Sequence, residues 1–443
     1  MAGGIWSGAK TRPGTYINLK NGKAPTAAKS TTGVVVIPLI GYDYGPREVF
    51  IKLPGDNPDS KKELLGRSVY DDESHMRLIR FAAMNASTIY VYIPKGGTAA
   101  SASITVGDTA VKVTAKYPGT LGNKIKVAVT KDPVKGFDFI VVLDEATVET
   151  FEGISKLSEI DSKYVTFDNA NVELKEAIAS KALAGGEDDS TNNGVSDFLN
   201  ACEKLKFNTM LFPITDESLK DSVKSKIKYI RNSIGWKCKA VVPNYAADYE
   251  GIINQTNAAI VDGKELTVAE TAAWRAGLDA AASYTKSNTY AVFEGATGIV
   301  GGGYTNEKAE EAIKNGESFL SIDEHGNVVL EYDINSKVTF EADDPADINK
   351  NRPMKVYDTF ANDCLMTFTP NKFNNNDQGW DSIEGLGRGM LQNYERDGAL
   401  QNVDTDADFV VDRENSTGDS VYINVALQPV DSAEKYYMTV IAK

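Results

Sequence analysis

Apolar and polar positions change rhythm several times along the chain, and each change predicts a different kind of element. Residues 1–30 are rich in Gly, Ala, Lys and Thr, with Pro13 and Pro25 as breakers. Only Thr15–Lys20 alternates there as a short strand does. A segment this polar buries too little surface to order itself, so a loose tail or an arm that folds on a partner is expected. From Gly33 the run GVVVIPLI is apolar and largely β-branched, which predicts a buried strand. Pro38 within it predicts a bulge or an edge position. Asp72–Asn85 reads as a helix with Asp71, Asp72 and Glu73 favourable near its N-terminus. Thr88–Pro94 reads as another strand.

After the linker-like Gly96–Ser103, short strands follow one another closely: SITV, AVKVTAKY, KIKVAVTK and FDFIVVLD. Turn signals such as YPGTLGN and DPVKG separate them, which predicts a small inserted β-sandwich ending near Leu183. Beyond the loop Gly185–Gly194 the rhythm alternates between helix and strand, with helices over Asp216–Ser233 and Thr267–Ser283. Thr267 and Glu270 have capping-box spacing ahead of the alanine-rich helix. This alternation predicts a parallel sheet covered by helices. A hairpin turning at His325–Gly326–Asn327 closes the region. Two further helices, Met354–Thr369 and Ser382–Asp397, flank the polar loop Asn371–Gly379. Strand-like segments then run to KYYMTVIAK, whose unpaired backbone groups must find an edge in the same subunit or in a neighbour.

Composition narrows the function. The 443 residues carry 47 Lys+Arg against 62 Asp+Glu, a net charge of −15. Nucleic-acid binding and docking on an anionic membrane both call for a basic face, so neither partner is expected. No apolar run approaches membrane-spanning length, and the opening MAGGIWSGAKTRPG has no secretory core; synthesis in the cytosol is expected. Cys202, Cys238 and Cys364 lie far apart without a C-x-x-C spacing, which predicts reduced thiols rather than a disulfide framework or a zinc site. No phosphate-binding glycine loop or nucleophile elbow is present. GIVGGGY and GLGRG read as turns or close-packing glycines. The two histidines, His75 in a charged helix start and His325 in a turn, read as exposed or structural. DTDADF fails as a calcium loop, because Phe409 stands where a glycine is needed. No catalytic residue, cofactor or metal is expected.

Several segments in order resemble contractile tail sheath proteins of phages, defective prophages and R-type bacteriocins, closest to the PBSX-prophage type. These are RPGTYINLKN, TTGVVVIPLIGYDYGP, AKYPGTLGNKIKVAV, ELTVAETAAWRAGLDAAAS, AEEAIKNGESFLSIDEHGNVVLEYDIN and DINKNRPMKVYDTFAND. Their ordered set, across nearly the whole chain, carries the resemblance.

The resemblance implies an α+β and α/β multidomain chain: arm 1–30, first part of the core 31–96, inserted β-sandwich 97–183, and a subtilisin-like α/β domain without a triad at 184–345. A C-terminal α+β domain at 346–430 and a β-arm at 431–443 complete it. It implies a helical homopolymer of stacked hexameric rings around a tail tube protein, with baseplate and tail terminator or collar proteins as further partners. The particle would be a virion or a bacteriocin, and contraction would need no nucleotide. Thr15, Tyr16, Ile17, Asn18 and Leu19 at one end would pair with neighbouring subunits, as would Tyr436, Tyr437, Met438, Val440 and Ile441 at the other. Lys350, Arg352, Lys355, Arg388 and Arg396 are the candidate tube-facing cations. The alternatives are a hydrolase on the α/β domain or another self-assembling structural protein.

Overall fold

The computed structural model describes residues 27–189 and 194–442, together with the strand pairs Gly3–Gly4 and Thr15–Tyr16. The chain divides into two compact units. The larger comprises Thr31–Asn362 and Pro429–Lys443, and the smaller Met1–Ser30 and Asp363–Gln428.

The larger unit is built on a seven-stranded sheet. Its order is Glu317–Ser318, Ile252–Gln255, Lys239–Pro243, Thr209–Leu211, Val34–Pro38, Thr88–Tyr92 and Phe50–Pro54. All neighbours pair in parallel except the last two, which are antiparallel. Val34–Pro38 and Lys239–Pro243 are buried at every position, which is why their sequences do not alternate. Pro38 departs from the sequence expectation: it is the last residue of a central strand, where no edge or bulge is needed. The next amide, Leu39, donates instead to the carbonyl of Tyr92.

The helix Val268–Ala281 is capped as its sequence predicts, with the Thr267 hydroxyl and the Glu270 carboxylate exchanging backbone hydrogen bonds. Its Gly277 meets the helix Ser74–Ala83, where an added Cβ would lie 2.3 Å from the carbonyl oxygen of Ala82. On the same helix Trp274 stacks on Phe293 at 4.5 Å.

Two smaller sheets form the β-sandwich within this unit. One orders Ala146–Ile154, Gly136–Leu143, Ile125–Asp132 and Ile178–Ala182; the other orders Val165–Phe167, Thr109–Ala115 and Ser101–Val106. Alternate residues point inward, among them Val111, Val113, Val127, Val129, Phe139 and Val141. Phe139 of one sheet meets Phe167 of the other edge-on at 5.5 Å. Gly119, of the YPG turn, has φ +125° and abuts the Asp43 carbonyl, where a Cβ would lie 1.9 Å away. That contact joins the sandwich to the core and requires glycine twice over.

In the smaller unit the helix Asp377–Arg396 begins five residues before its sequence suggests. Asn376 provides the reason: its side chain caps the helix by accepting from the Gly379 amide. The asparagine run that reads as loop thus supplies the helix start. Gly387 lies under the ring of Phe409, where a Cβ would come within 2.2 Å. Phe409–Asp412 pairs antiparallel with Tyr422–Val425 in a two-stranded ribbon. Ala28 and Ser30 donate backbone hydrogen bonds to Thr367 and Asp363, and Tyr394 donates to the other carboxylate oxygen of Asp363 at 2.8 Å. Gly3–Gly4 pairs in parallel with Thr15–Tyr16. Among the described residues, no helix is long and apolar enough to cross a membrane.

Candidate functional site

The C-terminal segment changes character at one residue. From Asp431 to Lys435 it is held by side chains of the larger unit. The ammonium of Lys350 pairs with Asp431 and lies 2.6 Å from Glu434 Oε2. Glu434 Oε1 accepts from the hydroxyls of Ser287 at 2.8 Å and Thr289 at 2.7 Å. Arg352 Nη1 donates to Ser432 Oγ at 2.7 Å. Burial works against the charge on Lys350, but its two carboxylate partners outweigh it and hold the ammonium above the ordinary lysine range.

Over residues 436–442 the side chains are exposed. Tyr437 is 91% and Val440 92% accessible, and Tyr436, Met438 and Ile441 stand out nearly as far. None of these residues is assigned to a strand, although the sequence reads as one. Strand propensity is a fit to a pleated surface, and this segment is not placed on one among the described residues. Exposed aromatic and aliphatic side chains in a row are a common mark of an interaction surface. At the other end, Thr15 and Tyr16 lie in the short parallel pair, while Ile17, Asn18 and Leu19 fall outside the described residues.

The five candidate cations are scattered by the fold. Lys350 and Arg352 bind the root of the C-terminal segment, as above. Lys355 is buried, and its Nζ donates to the Asp279 carbonyl at 3.3 Å, in the last turn of the Val268–Ala281 helix, where a cation complements the helix dipole. Burial pushes its pKa down. Arg388 is partly exposed and pairs with Asp406 at 3.3 Å and Glu384 at 3.7 Å. The Arg396 side chain is 73% exposed, beside Asp397 at 3.9 Å.

Lys355 belongs to a buried polar network that the sequence did not reveal. Asp279 accepts from Thr209 Oγ1 at 2.7 Å and lies 4.0 Å from Lys239. Lys239 donates to Asn351 at 2.7 Å, and Asn351 and Arg275 both donate to Asp333. Burial alone would raise the carboxyl of Asp279, yet Lys239, Lys355 and Arg275 hold it below the ordinary range. The network locks the first turns of the helix Asn351–Thr367 onto the sheet. Its members are spread over more than a hundred positions, with no local pattern to announce them.

Of the two readings of His75, exposed or structural, the fold gives the structural one. Nδ1 lies 2.7 Å from Glu73 Oε1 and Nε2 lies 2.8 Å from the Ile40 carbonyl. Both partners can accept, an arrangement that favours a proton on each ring nitrogen. The Glu73 contact raises the His75 pKa against the opposing effect of burial. Despite partial burial, His75 and the Met76 amide bring Glu73 down to about 2. Cys202, Cys238 and Cys364 are free thiols. Among the described residues, no cluster of three or more His, Cys, Asp or Glu is placed to hold a metal ion.

Comparison with known proteins places these features in context. Models of three phage tail sheath domains match the chain: the β-sandwich domain over residues 95–189, the central domain over 188–336 and the C-terminal domain over 343–443. The phage-like element PBSX protein XkdK of Bacillus subtilis is 31% identical, the alignment covering 99% of each chain. A sheath tail protein from Desulfitobacterium hafniense, solved by crystallography, superposes with a TM-score of 0.82 at 31% identity, covering 96% of this chain and 99% of that one. The sheath of an extracellular contractile injection system, seen in its contracted state, shares the fold: TM-score 0.57, 10% identity and 99% of both chains covered.

Proposed function

The chain belongs to the phage tail sheath protein family, and on that premise we propose that it polymerises by lending its terminal segments to neighbouring copies. It is a structural subunit of a contractile sheath. The observation that carries the proposal is the exposed, unpaired apolar segment Tyr436–Ile441 beyond a firmly held root. β-Augmentation gives such a segment backbone hydrogen bonds and side-chain pockets together. Thr15–Leu19 is the proposed counterpart at the other end. The ribbon of Phe409–Asp412 and Tyr422–Val425 offers an edge of the required kind, with Tyr422 and Val425 exposed on it.

Head-to-tail contacts that do not close produce an open helical filament, here proposed as stacked hexameric rings around a tail tube protein. Baseplate and terminator or collar proteins complete the proposed partners. Assembly takes place within a phage or bacteriocin particle after synthesis in the host cytoplasm. Contraction draws on the difference in interface free energy between two lattices, and shared strands keep the subunits connected while the cores move as near-rigid bodies. No catalytic step is involved.

We assign the proposed tube contact to Arg396, whose side chain is 73% exposed, with the partly exposed Arg388 beside Asp406 and Glu384 as a second candidate, since Lys350, Arg352 and Lys355 are largely buried against internal partners. The domain divisions read from the sequence, and the subtilisin-like ancestry of the α/β part, belong to this proposal as well. Deleting Tyr436–Lys443 tests it. The shortened chain is expected to stay folded and monomeric under conditions in which the full chain forms striated tubes. Tubes of normal appearance from the shortened chain would refute strand donation.

A further inference from the structure

We infer that Lys350 anchors an electrostatic clasp that fixes the root of the C-terminal segment and places its pivot at the Lys435–Tyr436 junction. The inference rests on strand donation as proposed above and adds where the donated lever begins. Four residues between positions 431 and 435 define the clasp. Asp431 and Glu434 both meet Lys350, Ser432 meets Arg352, and Glu434 is also held by Ser287 and Thr289. Lys435 closes the set, its Nζ lying 5.6 Å from the centre of the Tyr332 ring, over which Lys350 also sits at 5.4 Å.

Two properties separate this clasp from an ordinary surface ion pair. The side chains of Lys350 and Glu434 are only 15% and 10% exposed, so losing Lys350 leaves the Glu434 charge largely out of water without this cation, and losing Glu434 leaves Lys350 with Asp431 alone of its two carboxylates. The anchor is also rigid. Lys350 immediately precedes the helix Asn351–Thr367, whose residues Asn351 and Lys355 lie in the buried network around Asp279 and Asp333. The root therefore moves with the core. Among the described residues, 436–442 show no such contacts, and they span on the order of 20 Å if extended. A fixed root sets the direction in which a donated strand departs and removes slack between subunits that share it.

The test uses the full chain with Lys350→Ala and, separately, Glu434→Gln, which keeps the shape of the side chain. Hydrogen exchange of the unassembled chains is followed over 429–435, and tube order is followed by electron microscopy. Both variants are expected to exchange roughly tenfold faster at 429–435, with 351–362 unchanged, and to give short tubes with poorly ordered lattices. Lost protection with tubes of full helical order would overturn the clasp's role, as would protection that does not change. A chain ending at Lys435 separates the two ideas. If it keeps protection at 429–435 and does not assemble, strand donation holds and the clasp is intrinsic to the subunit. If it assembles like the full chain, strand donation falls, and the pivot assigned to it falls too.

Discussion

Arg231 and Asp358 face each other through two parallel hydrogen bonds of 2.8 Å, the guanidinium fork closing on both carboxylate oxygens inside the larger unit. Arg231 also donates to the Cys238 carbonyl. The pair joins the end of the helical segment after Tyr229 to the helix Asn351–Thr367. A bidentate pair this well enclosed is strong when intact and costly when broken. Asp358→Ala is expected to destabilise the chain by about 3–5 kcal/mol, because it leaves an unpaired buried guanidinium. Replacing both members by apolar residues of similar size should cost much less. Chemical denaturation of the single and double variants measures the difference.

The His75–Glu73 contact gives stability a pH dependence with a definite sign. The His75 pKa is raised in the folded chain, so its contribution is fully present below the unfolded histidine value and lost as pH rises through the folded one. Glu73 is depressed to about 2, so its contribution is present above the unfolded carboxyl value and lost as pH falls towards that figure. Asp43, Arg67 and Tyr42 also face this corner. His75→Gln should flatten the alkaline loss, and Glu73→Gln the acid loss. Glu73 also accepts from the Met76 amide as helix cap, so Glu73→Ala should cost about 1 kcal/mol at neutral pH. Thermal unfolding across pH 3 to 9 reads both effects.

Two glycines of one helix should respond in opposite directions. A Cβ at Gly387 would strike the Phe409 ring, whereas a Cβ at Gly385 would meet open space. Gly387→Ala is expected to destabilise by about 1–3 kcal/mol through overpacking. Gly385→Ala should stabilise by up to about 1 kcal/mol through helix propensity. Thermal melts of the two variants check this.

Arg396 projects into solvent, its side chain 73% exposed, beside Asp397. Arg396→Glu is therefore expected to leave the melting temperature within the range of ordinary surface changes, about 0.5 kcal/mol. If the proposed tube contact is right, the same change reduces the share of sheath found on tubes when the two proteins are produced together. Equal occupancy would remove Arg396 from that contact.

The elements legible in the sequence were those whose cause is local. GVVVIPLI, the alternating Ile125–Leu143 stretch and the Thr267–Glu270 box each carry their own signal within a few residues, and each forms the element expected. What escaped depends on distant partners. His75 reads as either exposed or structural until Ile40 closes over its second nitrogen, and Lys350 and Lys355 look like free cations until Glu434 and Asp279 meet them. The start of the helix Asp377–Arg396 was hidden because asparagine favours loops and helix caps alike. The terminal segment shows its strand propensity plainly, but Tyr436–Ile441 is not in a strand of the single chain.

The most direct measurement is a reconstruction of the assembled tube at a resolution that traces the backbone. Strand donation predicts that Tyr436–Ile441 lies as a β-strand in a sheet whose other strands belong to a different copy, with the Lys350–Glu434 contact still closed within its own. Density that leaves Tyr436–Ile441 unpaired in the finished lattice, or folds it onto its own subunit, would contradict the account.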